Sequence, residues 1–150
     1  MDFTENIIDT RDIQDRIDEL NDDIDTLDNE ISELSEEIDD LDENDPDDKN
    51  EIDLKLDDIE DKREQIEELQ EELSMLLDVE SEVPEFRHGE TLIHENYWVE
   101  YVQDLCEDCG YISRDFPHWI AIDWDATADN VAMDYSTIEL DGNTYYFRSC

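Results

Sequence analysis

Isoleucine and leucine recur along the first part of the chain at the spacing of a coiled-coil helix. Between residues 13 and 41 the steps from one to the next alternate between four and three residues. With Ile17 at heptad position a, isoleucine occupies each later a and leucine each d. The positions are Ile13, Ile17, Leu20, Ile24, Leu27, Ile31, Leu34, Ile38 and Leu41. This pattern predicts one helix over about residues 10–42.

A second apolar stripe follows a short polar segment. Pro46 cannot continue a helix interior, and Asn44 and Asp45 favour a turn. The second stripe is less regular, because Arg63 holds a position where an apolar residue is expected. Its members are Ile52, Leu56, Ile59, Ile66, Leu69, Leu73 and Leu76. The short connection favours two antiparallel helices within one chain.

The alternative is a parallel homodimeric coiled coil. It would bring acidic e and g positions opposite the same residues of a second chain, where like charges oppose pairing. Within one chain, Lys55, Lys62 and Arg63 can offset part of this repulsion. We therefore expect the intramolecular pair, with the oligomeric state open between monomer and homodimer.

The C-terminal half has different patterns. The stretch LIHENYWVEYVQDLCEDCGY predicts an amphipathic helix with an aromatic stripe, and Gly110 suits its C-terminal end. Asp123 is a suitable N-cap for a short helix that reaches about Met133, with Trp124, Ala128 and Val131 facing inward.

The segment STIELDGNTYYFR predicts a β-hairpin with Asp141-Gly142 as its two-residue turn. Leu140 then faces Asn143, Ile138 faces Tyr145 and Thr137 faces Tyr146. One face of the hairpin is expected to pack on the two preceding helices. That face carries Ile138, Leu140, Tyr145 and Phe147.

Together these elements predict an α+β protein of two domains. Residues 1–80 are expected to form a long acidic antiparallel helical hairpin, a coiled coil. Residues 81–150 are expected to form a small α+β domain of two helices and a β-hairpin.

Acidic residues dominate the chain, which has a formal net charge of -41. Residues 1–80 hold 35 of the 50 acidic residues and 6 of the 9 basic ones. A solvated helix face normally mixes charges of both signs, because opposite charges one turn apart add stability. The outward positions of the first helix lack this mixing, which indicates a role for the charge outside folding. The acids that we expect to bind a partner are Asp18, Glu19, Asp22, Asp25, Glu33, Glu36, Asp39, Asp40 and Glu43.

The expected charge density resembles that of DNA. A helix over residues 10–42 would be about 50 Å long. The net charge of residues 1–80 then corresponds to roughly one charge per 1.7 Å, as in duplex DNA. Such a surface is repelled by nucleic acids and by anionic lipids. An ordinary acidic coiled-coil linker and a halophile protein with an acidic surface are the alternative interpretations.

A calcium-loop spacing occurs where the two predicted helices join. Asp40, Asp42, Asn44, Asp48 and Glu51 match liganding positions of such a loop. The position that glycine holds for the sharp turn is occupied by an aspartate. In so acidic a chain this spacing arises by chance, and we interpret the segment as a solvated turn.

Cys106 and Cys109 form a CxxC pair inside a helical pattern. A structural zinc site needs two more ligands, and no second closely spaced pair exists. The pair is therefore interpreted as two small residues at a helix end, without metal. The remaining candidate ligands are His88, His94, His118 and Cys150.

Other classes of function have little support in the sequence. No nucleophile, histidine and acid arrangement, phosphate-binding glycine loop or HExxH motif is present, so we expect neither an enzyme nor a cofactor. The N-terminus lacks a signal-peptide pattern, and no apolar run is long enough to span a membrane. Three cysteines, an odd number, fit a reducing compartment. We expect a cytoplasmic location in a host cell.

Part of the C-terminal half resembles a known family. The run LIHENYWVEYVQDLCEDCG and the segment HWIAIDWDATADNVAMDYSTIELDGNTYYFR look like a short domain of phage and mobile-element proteins. Residues 92–148 also resemble the ArdA-type antirestriction proteins, through the IDW segment, the following alanines, the DY pair and the DG turn. Members of that family are acidic DNA mimics that block restriction enzymes. The resemblance implies an inhibitor encoded by a mobile element.

These observations predict a DNA-mimic inhibitor that occupies the basic DNA-binding cleft of a host protein. The expected partner is a restriction, CRISPR, repair or nucleoid protein. A structural adaptor that binds through the aromatic C-terminal module is the rival from another class. An acidic chaperone of basic proteins such as histones is the third interpretation.

Overall fold

A computed structural model describes residues 1–148. Within that range the chain forms two compact units. The sheet unit consists of residues 1–14 and 77–148, and the helical unit consists of residues 15–76. The α+β class predicted from the sequence is confirmed, because the chain combines α-helices with an antiparallel sheet.

Four α-helices account for most of the described chain. They are α1 (Thr10–Asp39), α2 (Pro46–Glu82), α3 (Trp98–Asp108) and α4 (Trp124–Ala132). Two short 3₁₀ helices span Phe86–His88 and Glu95–Tyr97. None of the described helices is long and apolar enough to cross a membrane.

The sheet has four antiparallel strands in the order β1-β2-β4-β3. The strands are β1 (Ile7–Asp9), β2 (Thr91–His94), β3 (Tyr135–Leu140) and β4 (Asn143–Arg148). The sequence patterns predicted only the β3–β4 pair. The pairing of β1 with β2 joins residues more than eighty positions apart, with Ile8 opposite Leu92.

The β3–β4 hairpin has the predicted register. Leu140 pairs with Asn143, and Ile138 pairs with Tyr145. Asp141 and Gly142 make the turn with φ values of 52° and 78°. The two-residue turn whose twist matches that of the flanking strands requires positive φ at both central residues. Aspartate and glycine tolerate positive φ, which explains the Asp-Gly pair at this turn.

The prediction that β2 belongs to a helix is wrong. Thr91–His94 is a strand, and α3 begins only at Trp98. Leu92, Ile93 and His94 are all buried, because both faces of this part of the sheet are covered. Only Leu92 and Ile93 of this four-residue strand are apolar, and so short a segment has no period that distinguishes it from the start of a helix.

The predicted packing of the hairpin on the helices is also wrong, because α3 and α4 cover the opposite face of the sheet. Trp98 and Val102 of α3 and Ala128 of α4 form a buried cluster with Ile93. The Trp98 ring stacks on Tyr146 with 4.5 Å between ring centroids. In the β2–β4 register Tyr146 lies opposite Ile93, on the face that does not carry Tyr145.

The face that carries Tyr145 is buried as well. Tyr145 is fully buried, and its hydroxyl donates to the carbonyl oxygens of Phe3 at 2.8 Å and Glu5 at 2.9 Å. The Asn143 amide also donates to the Phe3 carbonyl, at 3.0 Å. These bonds tie the N-terminal segment to β4. The other buried apolar members of this face are Ile8, Leu92, Ile138, Leu140 and Phe147.

The short helix α4 begins as predicted. The Asp123 carboxylate accepts a hydrogen bond from the Ala126 N–H at 3.1 Å, which satisfies one of the free amides of the first turn. Ala128 is buried, and Trp124 and Val131 are half-buried.

In the helical unit, the apolar stripe of α1 is buried to a decreasing extent along the helix. Ile17, Leu20 and Ile24 are buried, whereas the residues from Leu27 onward are half-buried. The helix ends at Asp39, three residues before the predicted end. On α2, Leu56 is 50% exposed although the pattern places it on the stripe. Arg63, at the break in that stripe, is exposed.

Candidate partner-binding surface

The acidic side chains of the helical unit lie almost entirely on its surface. Residues 15–76 contain 29 acidic and 5 basic residues, a formal net charge of -24. All of the acidic residues except Glu30, Asp48 and Glu72 are exposed. The heptad pattern explains this placement, because isoleucine and leucine occupy the one stripe that packs and leave the remaining positions to solvent.

All nine acids singled out from the sequence are exposed. Seven of them lie on α1, from Asp18 to Asp39. Asp40 and Glu43 lie instead in the connection between α1 and α2, because the helix ends before them. Glu19 is engaged in an ion pair with Arg16, with 2.9 Å between Nη1 and Oε2.

Three of the five basic side chains in the helical unit each contact acids of both helices. Lys55 Nζ lies 2.7 Å from Glu37 Oε2 on α1 and 3.6 Å from Glu51 Oε1 on its own helix. Lys62 Nζ lies 3.0 Å from Glu30 Oε2 on α1 and 3.6 Å from Asp58 Oδ1 on its own helix. Hydrogen bonds to Glu37 and Glu30 raise the pKa values of Lys55 and Lys62, respectively.

Arg16 makes the third such contact. Its Nε and Nη2 atoms each donate to a carboxylate oxygen of Glu72 at 2.9 Å, a bidentate arrangement. These bonds lower the pKa of Glu72 and raise the pKa of Arg16 above its usual range. Because these three cations lie between α1 and α2, they neutralise little of the outward acidic surface.

The segment with calcium-loop spacing is closed by its own hydrogen bonds. The Asp48 carboxylate accepts from the Asp42 N–H at 3.0 Å, and the Asp42 carboxylate accepts from the Asn44 N–H at 2.9 Å. In residues 1–148 no group of three or more histidine, cysteine, aspartate or glutamate side chains is placed to hold a metal ion.

Cys106 and Cys109 are free thiols at the end of α3, and Cys109 is exposed. Among the other candidate zinc ligands, His94 uses both ring nitrogens in hydrogen bonds. Its Nδ1 accepts from the Asn96 N–H at 3.0 Å, and its Nε2 lies 3.1 Å from Asn143 Oδ1. Cys150 lies outside the described residues.

Sequence reasoning missed a second exposed surface, in the segment between α3 and α4. Tyr111 and Trp119 are 78% and 76% exposed. The only signal in the sequence is the cluster FPHWIAI, whose apolar residues follow neither helical nor strand periodicity.

Comparison with protein-family models, curated proteins and solved structures found no match. The exposed acidic surface is therefore the feature from which a function can be inferred.

Proposed function

We propose that the protein is a DNA-mimic inhibitor, encoded by a phage or mobile element, that occupies the basic DNA-binding cleft of a host protein. The observation that carries this proposal is the exposed acidic surface of residues 15–76, with its net charge of -24. The resemblance of residues 92–148 to ArdA-type antirestriction proteins agrees with it. In this proposal the protein acts by occupancy in the host cytoplasm and catalyses no reaction.

The proposal includes an antiparallel coiled coil of α1 and α2. The order of the ion pairs supports this arrangement. Glu37, Glu30 and Arg16 come progressively earlier on α1, and they contact Lys55, Lys62 and Glu72, which come progressively later on α2. The first two pairs are seven residues apart on each helix, which is the heptad repeat.

The charge spacing of such a pair is close to that of duplex DNA. The part of α2 within the helical unit, residues 46–76, is about 46 Å long at 1.5 Å per residue. Spread over that length, the net charge of the helical unit gives roughly one charge per 1.9 Å, against about 1.7 Å in DNA. Two helices side by side, each about 10–12 Å across with side chains, also match the duplex approximately in width.

Binding would come from many weak contacts. A single exposed ion pair contributes about 0–1 kcal/mol, so no one carboxylate should dominate. The collective field would accelerate association with a basic cleft, and the release of anions from that cleft would make the affinity strongly salt-dependent. The nine acids named above are the proposed phosphate mimics.

The test is capture of DNA-binding proteins from a bacterial lysate on the immobilised protein, followed by elution with a short DNA duplex. We expect to capture a protein that duplex DNA elutes from the immobilised protein. Its binding should be retained at low salt and lost at high salt. An adaptor that binds through apolar contacts would retain its partner at both salt concentrations. A general chaperone of basic proteins would capture histones and an unstructured polycation equally well.

A pair of matched variants locates the binding surface. The first variant changes the nine proposed mimics to asparagine or glutamine. The second removes the same number of charges from exposed acids of the sheet unit. These are Glu5, Asp12, Glu82, Glu85, Glu95, Glu100, Asp129, Glu139 and Asp141. We expect only the first variant to lose the partner, and equal losses in both variants would contradict the proposal.

A further inference from the structure

The two lysine–glutamate pairs between α1 and α2 are one heptad apart, and the next position in that series lacks its lysine. In the second pair, Lys62 Nζ lies 3.0 Å from Glu30 Oε2. One heptad from that pair, toward the start of α1 and the end of α2, the chain has Asp23 and Leu69. The repeat therefore places an acid of α1 beside a leucine of α2, where the two preceding pairs have an acid beside a lysine.

A cavity of about 380 Å³ lies at this position, between residues of both helices. It is bordered by two exposed carboxylates and two half-buried leucines, and its lining contains no basic side chain. The lining residues are Asp23, Thr26, Leu27, Gln65, Glu68 and Leu69. Within residues 1–148, neither Asp23 nor Glu68 belongs to an ion pair. Two carboxylates thus border an apolar surface without a cation to neutralise them.

The corresponding cavity one heptad away contains a cation from the chain itself. Lys62 lines that cavity together with Glu30, Leu34 and Asp58. The lysine Nζ contacts both carboxylates, at 3.0 Å from Glu30 and 3.6 Å from Asp58. Leu34 occupies heptad position d, as Leu27 does at the first cavity. The chain therefore shows, with its own lysine, that such a cavity accommodates a side chain with an apolar stem and a cationic end.

Charge and polarity together select the occupant of the cavity at Asp23. The helical unit, with its net charge of -24, repels an anion. A wholly apolar occupant would desolvate Asp23 and Glu68 without offering them a partner. A lysine or arginine side chain meets both requirements, because its stem can cover Leu27 and Leu69 while its charged end contacts the carboxylates.

We propose that this cavity receives a lysine or arginine side chain of the partner protein. That the partner is a DNA-binding protein rests on the proposed function, whereas the cavity is formed by residues outside the nine proposed phosphate mimics. The exposed acids attract a basic cleft without fixing its position, because they are numerous and similar. A cation that enters one cavity between α1 and α2 would give the partner a defined register on this surface.

The probe is n-butylguanidinium, which combines an apolar stem with the cationic group of arginine. It is titrated into the full-length protein in about 0.3 M salt, where attraction between distant exposed charges is largely screened. We expect a saturable shift of the Leu27 and Leu69 methyl signals by NMR. The Leu34 methyl signals should stay unchanged, because Lys62 already supplies the cation of that cavity. Equal shifts at Leu27 and Leu34 would contradict the proposal.

Leu69→Lys supplies the missing cation from within the chain and should abolish the saturable shift of Leu27. The fold should tolerate this change, because lysine already occupies the two preceding positions of the same series. Leu54→Lys is the matched control, because it makes the same change at a 70% exposed position outside the cavity lining, and it should leave probe binding unchanged. The double change Asp23→Asn/Glu68→Gln removes both carboxylates at nearly constant side-chain size and should weaken probe binding about ten-fold.

The variant that neutralises the nine proposed mimics separates this proposal from the DNA-mimic proposal. It retains Asp23 and Glu68, so it should still show the saturable shift even though it should lose a DNA-binding partner. For that partner, Leu69→Lys should weaken binding about ten-fold relative to Leu54→Lys. A partner that binds these two variants equally would overturn the insertion of its side chain and leave the DNA-mimic proposal intact. Equal probe affinity in the same two variants would overturn the cavity site itself.

Discussion

The two units of this protein are both acidic, but they place their apolar residues in different ways. The sheet unit buries side chains on both faces of a four-stranded sheet, and the helical unit buries a single stripe along each helix. The sheet unit therefore depends on core packing. The helical unit exposes most positions, so it can carry 29 acidic residues without placing any of them in a core. High surface charge is compatible with folding where the apolar stripe and the bridging cations stay intact.

The largest expected effect is on the core of the sheet unit. Tyr145→Ala removes a fully buried ring and the two hydrogen bonds that hold the N-terminal segment. We expect a loss of about 3–5 kcal/mol in the free energy of unfolding. All three tryptophans lie in the sheet unit, so urea unfolding followed by tryptophan fluorescence measures this loss. Tyr145→Phe keeps the ring and should cost only about 1–3 kcal/mol.

Tyr145 should also make the sheet unit sensitive to alkali. Burial raises the pKa of Tyr145 to about 12. The unfolded state ionises at about pH 10, so the stability contributed by the neutral phenol is present below that pH and is lost as pH rises toward 12. Tyr145→Phe should show a smaller loss over this interval, and an identical pH dependence in the two proteins would show that Tyr145 has no such role.

The second prediction concerns the gradient of burial along α1. Leu20 is fully buried and Leu34 is half-buried. Leu20→Ala should cost about 2–5 kcal/mol, and Leu34→Ala should cost clearly less, because a partly solvated side chain loses less on truncation. Circular dichroism at 222 nm, which is dominated by the long helices, provides the measurement. Equal costs would mean that the helices pack equally tightly along their whole length.

The third prediction concerns the Arg16–Glu72 pair. Both side chains are about one-fifth exposed, and we expect Arg16→Gln to cost about 1 kcal/mol at pH 7. The hydrogen bonds from Arg16 depress the pKa of Glu72, so this contribution is present above the unfolded pKa of about 4.3 and is lost as pH falls below it. The difference in unfolding free energy between the unmodified protein and Arg16→Gln should therefore become smaller at acidic pH. Arg63→Gln is the control, because Arg63 is an exposed arginine of the same unit.

The smallest expected effect is that of a single outward acid. Asp25→Asn should leave the urea midpoint of the helical unit unchanged or slightly higher at low salt, because it relieves repulsion among neighbouring acids. The difference should vanish at 1 M salt, where charges are screened beyond about 3 Å. A clear loss of stability at low salt would show that Asp25 has a structural role.

Local patterns were sufficient for much of the fold. The heptad spacing predicted long helices in the first half, the Asp-Gly pair predicted the β3–β4 register, and Asp123 marked the start of α4. The exposure of the seven candidate acids on α1 also followed from their positions opposite the apolar stripe. Each of these features depends on residues that are close together along the chain, within a few helical turns or across one tight β-turn. Local sequence patterns can therefore predict it.

The sequence by itself therefore determined the long helices α1 and α2, the start of α4, the β3–β4 hairpin and the exposed acidic positions of α1. Only the tertiary structure decided that Ile7–Asp9 is a strand, that Thr91–His94 pairs with it, and that α3 and α4 cover the Tyr146 face of the sheet. Those features depend on hydrogen bonds and packing between segments that are distant along the chain. A strand of three or four residues has no period long enough to identify its partner or the face that is covered, so its conformation is decided by the partner strands and helices that bury it.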